Sequence, residues 1–428
     1  MKTNVMIFGG GGYAAVQTYF ALKNSLRFHP IMAGSYDNHA TYISNDAIID
    51  LPFTYEENFI EKLNECIDQH DIKFIIPSHD SGALSLVANQ EHIHATVVCS
   101  CLETTRLCRF KSLTYKALEG LDFVPETYSY DNPVFPLFAK DDEGQGGRNT
   151  HKISNCEELE KLKEDLVDYV LCEYLPGREM TIDCFTDRHG KLRFAQPRYR
   201  ERLMSGITAR TSNSTMTDEI WHIVDSISER IRFRGFWFIQ CKEDVNGKLK
   251  LMEISTRFAG TFGLSRNMDV NLPLLALCDF SDMDIDISPN TCRISLDKSY
   301  IDRYKIDYPY QRVYLDFDDT LVFHREKYNT EAMRFVYQCL NKGIKIVLIT
   351  KHVYDIHETM KKIRLSEEIF DGVIEVPLNE DKCDYMDNCI PSIFIDNAYA
   401  ERKKVKENLG IPTFDVSNIE CLIDWTDD

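Results

Sequence analysis

The run Val313-Tyr-Leu-Asp316-Phe-Asp318-Asp-Thr320-Leu restricts its part of the chain more tightly than any other stretch. Its β-branched and aromatic lead-in predicts a buried strand. Two carboxylates, Asp316 and Asp318, follow where that strand would end. Like charges buried side by side are costly unless a cation or a proton offsets them. Magnesium, which prefers oxygen ligands, is the natural offset. The strand must therefore end at a polar sheet edge, and other charged groups must be brought to that edge. The run opens only the last part of a 428-residue chain, so a larger structure precedes it.

Later pieces supply those groups. A helix is predicted near Thr330 to Asn341, then a strand Ile344-Lys-Ile-Val-Leu-Ile349, and a third strand Ser392-Ile-Phe-Ile395 leading into Asp396. Strands joined by helices predict a parallel sheet, which binds ligands at the C-terminal ends of its strands. Four separated pieces fit one phosphoryl-transfer site. Asp316 can attack phosphorus as a carboxylate nucleophile. Asp318 can protonate the leaving oxygen and later activate water. Thr350 can donate a hydrogen bond to the phosphoryl group, Lys382 can balance charge, and Asp396 can complete a magnesium site. The bland alternative, in which the acids only cap a turn, fits one pair better than four ordered motifs.

These residues resemble the HAD superfamily of phosphotransferases over roughly residues 310 to 428. The resemblance implies a doubly wound parallel sheet, with magnesium held at Asp316, Asp318 and Asp396. It departs in one place: the last motif reads Asp396-Asn397, where the family often has two acids. Short spacings from Asp316 to Thr350 and from Thr350 to Lys382 leave no room for a large cap domain, which implies an open site.

The front of the chain alternates strand and helix from its first residues, an α/β pattern. Val5-Met-Ile-Phe runs into Gly9-Gly-Gly-Gly12, and Tyr13 to Leu22 reads as a helix. Such a turn suits nucleotide binding, but equally a plain strand-to-helix turn. Downstream, Pro136-Leu-Phe-Ala-Lys140 ends an apolar strand in a lysine, followed by the glycine-rich loop Asp141-Asp-Glu-Gly144-Gln-Gly-Gly147-Arg148. Leu171-Cys-Glu173-Tyr174-Leu175-Pro-Gly177-Arg-Glu179 sets two acids around a Pro-Gly turn. Phe236-Trp-Phe-Ile-Gln240 ends in an amide, and Lys250-Leu-Met-Glu253-Ile-Ser255-Thr-Arg257 in an acid and a base.

Together these resemble the ATP-grasp superfamily with its preceding Rossmann-like domain, from about residue 1 to 300. The nearest branch is that of carbamoyl-phosphate-synthase-like and carboxylate-amine ligases. The resemblance implies that Lys111 and Lys140 contact the phosphates of ATP. The backbone at Glu173, Tyr174 and Leu175 would grip adenine, and Glu179 the ribose. Gln240 and Glu253 would hold magnesium, and Arg257 would meet the transferred phosphate or the substrate. Many members have an acid at Gln240 and Asn at Ser255. Both replacements keep oxygen ligands and remove charge. Arg198, Arg200 and Arg202 form a basic strip, read either as a solvated strand face or as recognition of an anionic substrate.

The expected architecture is α/β and α+β multidomain. It comprises a Rossmann-like pre-ATP-grasp domain (1–100), an ATP-grasp domain (101–307) and a HAD-like doubly wound domain (308–428). The net charge of −19 argues against a nucleic-acid partner. No apolar run reaches membrane-spanning length, so a soluble cytoplasmic protein is expected. The 14 cysteines lack paired zinc-ligand spacing and read as core thiols. The expected cofactors are ATP and Mg2+, with Mg2+ in both halves. The function expected is a bifunctional enzyme: an ATP-dependent carboxylate-amine ligase, with a phosphatase that removes a phosphate ester from a substrate or product. The expected partners are a small-molecule carboxylate and an amine. Two alternatives stand beside it: an ATP-grasp kinase paired with the phosphatase, and a degenerate nucleotide-sensing module.

Overall fold

The computed structural model describes residues 2–144, 146–147, 149–162, 164, 166, 168–299, 301 and 303–426. Gln145 and Arg148 of the glycine-rich loop lie outside the described residues. The chain divides into two compact units, one of Met1–Thr41 and Asp46–Tyr300, the other of Tyr42–Asn45 and Ile301–Asp428.

The first unit opens with a parallel sheet of β1 (Thr3–Phe8), β2 (Phe28–Ala33), β3 (Ile72–Pro77) and β4 (Thr96–Val97), in the order β2-β1-β3-β4. The helices α1 (Tyr13–Leu22), α2 (Phe59–Gln69) and α3 (Asp80–Ala88) connect its strands. Gly9, at φ +86°, ends β1, and a Cβ there would sit 2.5 Å from Ser78 Oγ. Only glycine fits this close approach to the loop after β3. That loop starts α3, whose N-terminus is capped by His79 accepting from the Gly82 N–H at 2.9 Å.

The helices α4 (Leu102–Arg109) and α5 (Lys111–Ala117) lead to a small antiparallel sheet. It contains β5 (Thr127–Tyr128), β6 (Leu137–Asp141), β7 (Thr150–Ile153) and β8 (Tyr169–Glu173), with α6 (Cys156–Leu162) between the last two. Leu137, Ala139, Ile153, Leu159 and Leu171 form its core.

The third sheet is antiparallel: β9 (Glu179–Thr186), β10 (Leu192–Met204), β11 (Ile207–Asn213), β12 (Gly235–Glu243), β13 (Leu249–Ser255) and β14 (Ser295–Asp297), in the order β13-β12-β9-β10-β11-β14. Helix α7 (Asp218–Arg230) precedes β12. It buries Ile220, Ile223, Val224 and Ile227, one helical face, against Ile182, Trp237, Ile239 and Cys241. Phe236 and Phe238 of β12 pack on the opposite side with Phe258 and Phe262. Those two come from the segment leading to α8 (Gly263–Asn267) and α9 (Leu272–Phe280). β12 is thus buried on both faces until Gln240, which continues the Phe236–Phe238 face.

The second unit has a five-stranded parallel sheet of β15 (Arg312–Leu315), β18 (Lys345–Thr350), β19 (Gly372–Glu375), β20 (Ser392–Ile395) and β21 (Thr413–Phe414), in the order β19-β18-β15-β20-β21. A short hairpin of β16 (Val322–Phe323) and β17 (Lys327–Tyr328) follows β15. The connecting helices are α10 (Thr330–Asn341), α11 (Ile356–Ile363) and α12 (Tyr399–Leu409). Phe335, Val336 and Cys339 of α10 join Val313, Leu315, Leu348 and Ile395 in the core. No described helix is long and apolar enough to cross a membrane.

Candidate functional site

In the first unit the decisive local feature is a bulge. Gln240 pairs with Glu253, but Cys241 pairs with Leu251, so Met252 is an extra residue on β13. A bulge re-aims the side chain that follows it and frees a carbonyl from the ladder. Glu253 is thereby directly opposite Gln240, on the same face. The freed Met252 carbonyl accepts from Tyr115 Oη at 2.9 Å and from Lys140 Nζ at 3.1 Å. Lys140 is buried and also donates to the Tyr115 hydroxyl. The lysine at the end of β6 is therefore tied, through Met252 and Tyr115, to the strand that carries Glu253.

Lys111 is buried at the start of α5 and uses all three of its N–H groups on one loop. It donates to the carbonyls of Asp141 at 3.0 Å, Asp142 at 3.1 Å and Gly144 at 2.9 Å. Burial, with the Lys140 charge behind it, holds its ammonium below the usual lysine range, although Glu253 pulls the other way. Lys111 and Lys140 both lie in the electrostatic field of Glu253. Lys111 thus stands in the cluster where phosphate contact was expected, but with its donors already engaged by the stem of the glycine-rich loop.

Arg198, Arg200 and Arg202 do not form one strip, which corrects their reading as a continuous solvated strand face. Arg198 is 1 % exposed and bidentate on Asp183, with Nη1 on Thr261 at 2.6 Å. Its charge is neutralised inside the sheet. Arg202 pairs at the surface with Asp297. A register shift between Arg200 and Arg202 separates their environments. Arg200 alone enters the cluster, donating to Glu179 Oε2 at 2.7 Å and to Gln240 Oε1 at 2.8 Å. The other Glu179 oxygen accepts from Lys242 at 3.1 Å. Glu253 is different: among the described residues no hydrogen bond or ion pair reaches its carboxylate. Four cations (Lys111, Lys140, Arg200, Lys242) therefore surround two carboxylates, one of them uncommitted. That charge excess suits a polyanion, and the free carboxylate suits a divalent cation.

Chain leaving β8 passes through Tyr174 and Leu175. Leu175 is buried, and the Lys152 ammonium lies 4.2 Å from the centroid of the Tyr174 ring. Glu173 lies beside Lys250 at 3.6 Å. A cavity of about 900 Å³ adjoins the cluster and shares Glu179 and Arg200 with it; Tyr199, Ser212 and Asn290 also line it.

Arg257 and Ser255 turn toward a residue that the sequence reading did not single out. Asp80, at the start of α3, accepts from Ser255 Oγ at 2.5 Å and from Arg257 Nε at 2.7 Å. Burial alone would raise the Asp80 pKa. The Arg257 charge and both hydrogen bonds outweigh it and hold the carboxyl below its usual range. The signal for Asp80 was an acid just beyond the C-terminal end of a parallel strand.

In the second unit Asp316, Thr350 and Asp396 end three adjacent parallel strands. Lys382 Nζ joins two of them, 2.5 Å from Asp316 Oδ1 and 2.6 Å from Asp396 Oδ2. All three charged groups are buried. Burial, added to by the Asp396 charge, raises the Asp316 pKa against the pull of Lys382. Burial likewise raises Asp396. For Lys382 burial works downward, and the two carboxylates overcome it, so its pKa is raised. Asp316 Oδ2 accepts from Thr320 at 2.9 Å. Thr320 Oγ1 also accepts from the Asn397 N–H at 3.0 Å. Thr350 Oγ1 is buried and, among the described residues, has no hydrogen-bond partner. Asp318 is engaged by other groups: its Oδ2 lies 2.7 Å from His352 Nδ1, and Arg325 Nε stands 3.7 Å from Oδ1. His352, whose side chain is fully buried, reaches Thr359 Oγ1 with its other nitrogen at 2.9 Å. Among the described residues no group of three or more His, Cys, Asp or Glu side chains forms a ready metal cage.

Residues 165–299 match the family described as ATP-grasp in the biosynthetic pathway with Ter operon. The chain carries an ATP-grasp domain. Solved structures agree at the level of fold. A biotin carboxylase from Campylobacter jejuni, solved with a β,γ-ATP ligand, superposes with a TM-score of 0.56 at 13% identity, covering 67% of this chain and 72% of that one. The biotin carboxylase domain of 2-oxoglutarate carboxylase from Hydrogenobacter thermophilus, in complex with MgADP and bicarbonate, gives 0.58 at 15%, covering 68% and 72%. An N5-carboxyaminoimidazole synthetase from Staphylococcus aureus, complexed with ADP, gives 0.55 at 16%, covering 68% and 80%. No curated protein matches the chain in sequence.

Proposed function

We propose that the ATP-grasp unit is an ATP-dependent ligase joining a carboxylate to an amine through an acyl-phosphate. We further propose that the second unit is a HAD-type phosphatase acting on a phosphate ester of a substrate or product. The observation that carries the first reading is the cation excess around the uncommitted Glu253, in a fold shared with carboxylases and synthetases. Lys140, buried and tied to the Glu253 strand, would meet the triphosphate, with Lys111 joining it. The backbone at Glu173, Tyr174 and Leu175 would receive adenine beside the Lys152–Tyr174 pair, and Glu179 the ribose. Magnesium, when bound, would sit on Glu253, beside the Gln240 amide that Arg200 engages, and neutralise charge on the phosphates. The substrate carboxylate attacks the γ-phosphorus and ADP leaves. The amine then attacks the acyl carbon, expels phosphate and loses a proton, giving an amide. Arg257, held at Nε by Asp80 and at Nη1 by the Phe258 carbonyl, would offer Nη2 to the transferred group. The glycine-rich loop would exclude water from the acyl-phosphate.

The second reading rests on the unpartnered Thr350 hydroxyl beside the Asp316–Lys382–Asp396 cluster. A buried hydroxyl without a partner costs free energy that a phosphoryl oxygen would recover. Asp316 would take the phosphoryl group while the leaving oxygen takes a proton from Asp318. Water, deprotonated by Asp318, would then release phosphate. Asp316 and Asp396 would hold magnesium, which supplies charge neutralisation. Asp318, turned toward His352, fits the proton-handling role better than that of a side-chain metal ligand.

Both readings are tested with purified full-length protein, ATP, Mg2+ and panels of carboxylates and amines, some phosphorylated. ADP release that requires both acceptors and disappears in Glu253→Gln is expected. ADP release with one acceptor alone favours phosphorylation over ligation. In Asp316→Asn the product is expected to retain its phosphate ester. Identical products from wild type and Asp316→Asn would end the coupled reading.

A further inference from the structure

Arg200 is more tightly fixed than a phosphate-binding arginine on a flexible surface. Its Nη1 donates to Glu179 and Gln240, Nε to Thr208 Oγ1 at 2.7 Å, and Nη2 to the Gly206 carbonyl at 2.7 Å. Its side chain is 7% exposed. A guanidinium has five N–H donors, so one remains unused. This rigid cation touches the oxygen of Gln240, one of the two residues expected to hold magnesium.

The negative charge left for metal ions is small. Gln240 is neutral, and Arg200 already engages its oxygen. Both Glu179 oxygens answer to cations, Arg200 and Lys242. Ser255, two residues beyond Glu253, turns its hydroxyl to Asp80. Glu253 is the remaining carboxylate of the cluster. Magnesium commonly sits on one or two carboxylates together with substrate phosphates. One carboxylate, ringed by lysines and an arginine, can support one such ion. A second divalent ion would meet the Arg200 charge head-on.

We propose that this unit binds a nucleoside triphosphate with a single divalent cation, held on Glu253, and that the Arg200 guanidinium replaces a second cation beside Gln240. Its unused N–H is the donor offered to a phosphoryl oxygen. The inference rests on the nucleotide-binding reading above and deepens it by fixing the charge count of the site. It also accounts for Gln where an acid would be expected: an acid would pair with Arg200 and cancel the charge that the phosphates need.

The test counts Mn2+ bound to the full-length protein by electron paramagnetic resonance, with and without β,γ-imido-ATP, whose own binding is measured by calorimetry. Counting the increment per bound nucleotide removes any ion held by the second unit. An increment of one is expected in wild type. In Arg200→Met the nucleotide affinity should fall at least tenfold with the increment still one, and Arg200→Lys should recover part of the loss. In Arg200→Met/Gln240→Glu the freed acid should raise the increment to two. Circular dichroism identifies any variant that fails to fold, and the wild-type count needs no variant. An increment of two in wild type overturns the proposal, as does unchanged nucleotide affinity in folded Arg200→Met. Absence of any nucleotide isotherm overturns the underlying reading too, and is told apart because there is then no bound nucleotide to count against.

Discussion

Two side chains at opposite ends of the chain make opposite predictions about stability. Asp80 is largely buried and its pKa is depressed by Arg257 and Ser255. A depressed carboxylate contributes stability that is present above its unfolded pKa and lost as pH falls through its folded one. In Arg257→Met the carboxylate stays buried without its cation. The variant should lose about 2 kcal/mol at neutral pH, a figure below the usual cost of breaking a fully buried pair because Arg257 is partly exposed. The deficit should shrink as pH falls and the stranded Asp80 takes up a proton, and urea titrations at neutral and at acidic pH would show it. A deficit that does not depend on pH would mean that Arg257 acts through packing instead. Thr350 is the reverse case. Its hydroxyl is buried without a partner, so Thr350→Val, nearly the same shape, should raise stability by about 1 kcal/mol. The same change should lower kcat/KM of the proposed phosphatase at least tenfold, because the hydroxyl is then missing where phosphate would need it. Loss of stability together with loss of activity would make Thr350 an ordinary packing residue.

The elements of this chain differ in how far the sequence announces them. Helices α1 and α10 run from Tyr13 to Leu22 and from Thr330 to Asn341, as the apolar spacing and the flanking turns indicate. Strands that end in a charged or polar residue were equally legible, since an apolar run stopping at Asp316, Asp396 or Gln240 has few other solutions. Local pattern could not reveal the bulge at Met252, the burial of Arg198 or the approach of Asp80 to Arg257, because each depends on a partner distant in the chain. The glycine-rich loop shows the same limit. Its sequence suggests a flap, but what holds it is non-local. Lys111 grips its stem, and a Cβ on Gly206, in the β10–β11 turn, would sit 2.1 Å from the Gly146 carbonyl. Gly206 also has φ +75°, where side chains are strained. Gly206→Ala should therefore push the two loops apart. Hydrogen exchange at residues 141–147 should quicken, and KM for ATP should rise several-fold with little change in melting temperature. Lys111→Met should quicken exchange in the same segment by releasing its three carbonyls. If exchange there is unaltered in both variants, neither contact restrains the loop.

At the scale of the whole molecule, the chain is two units with separate hydrophobic cores, each with its own charged cluster. Separate cores give separate cooperative transitions unless a large apolar interface links them. A ligand that binds the native form of one unit stabilises that unit alone, by about 2.7 kcal/mol at a hundred times its dissociation constant. Scanning calorimetry of the intact protein should therefore resolve two transitions. MgADP should move one of them upward. Orthovanadate with Mg2+, an analogue of the phosphoryl group in flight, should move the other. Each shift has its own control: Glu253→Gln should abolish the nucleotide shift and leave the vanadate shift, and Asp316→Asn should do the reverse. A single transition raised by both ligands would mean that the units fold and bind as one body. Vanadate without effect on either transition would end the proposed phosphoryl site of the second unit, while leaving the proposed nucleotide chemistry of the first untouched.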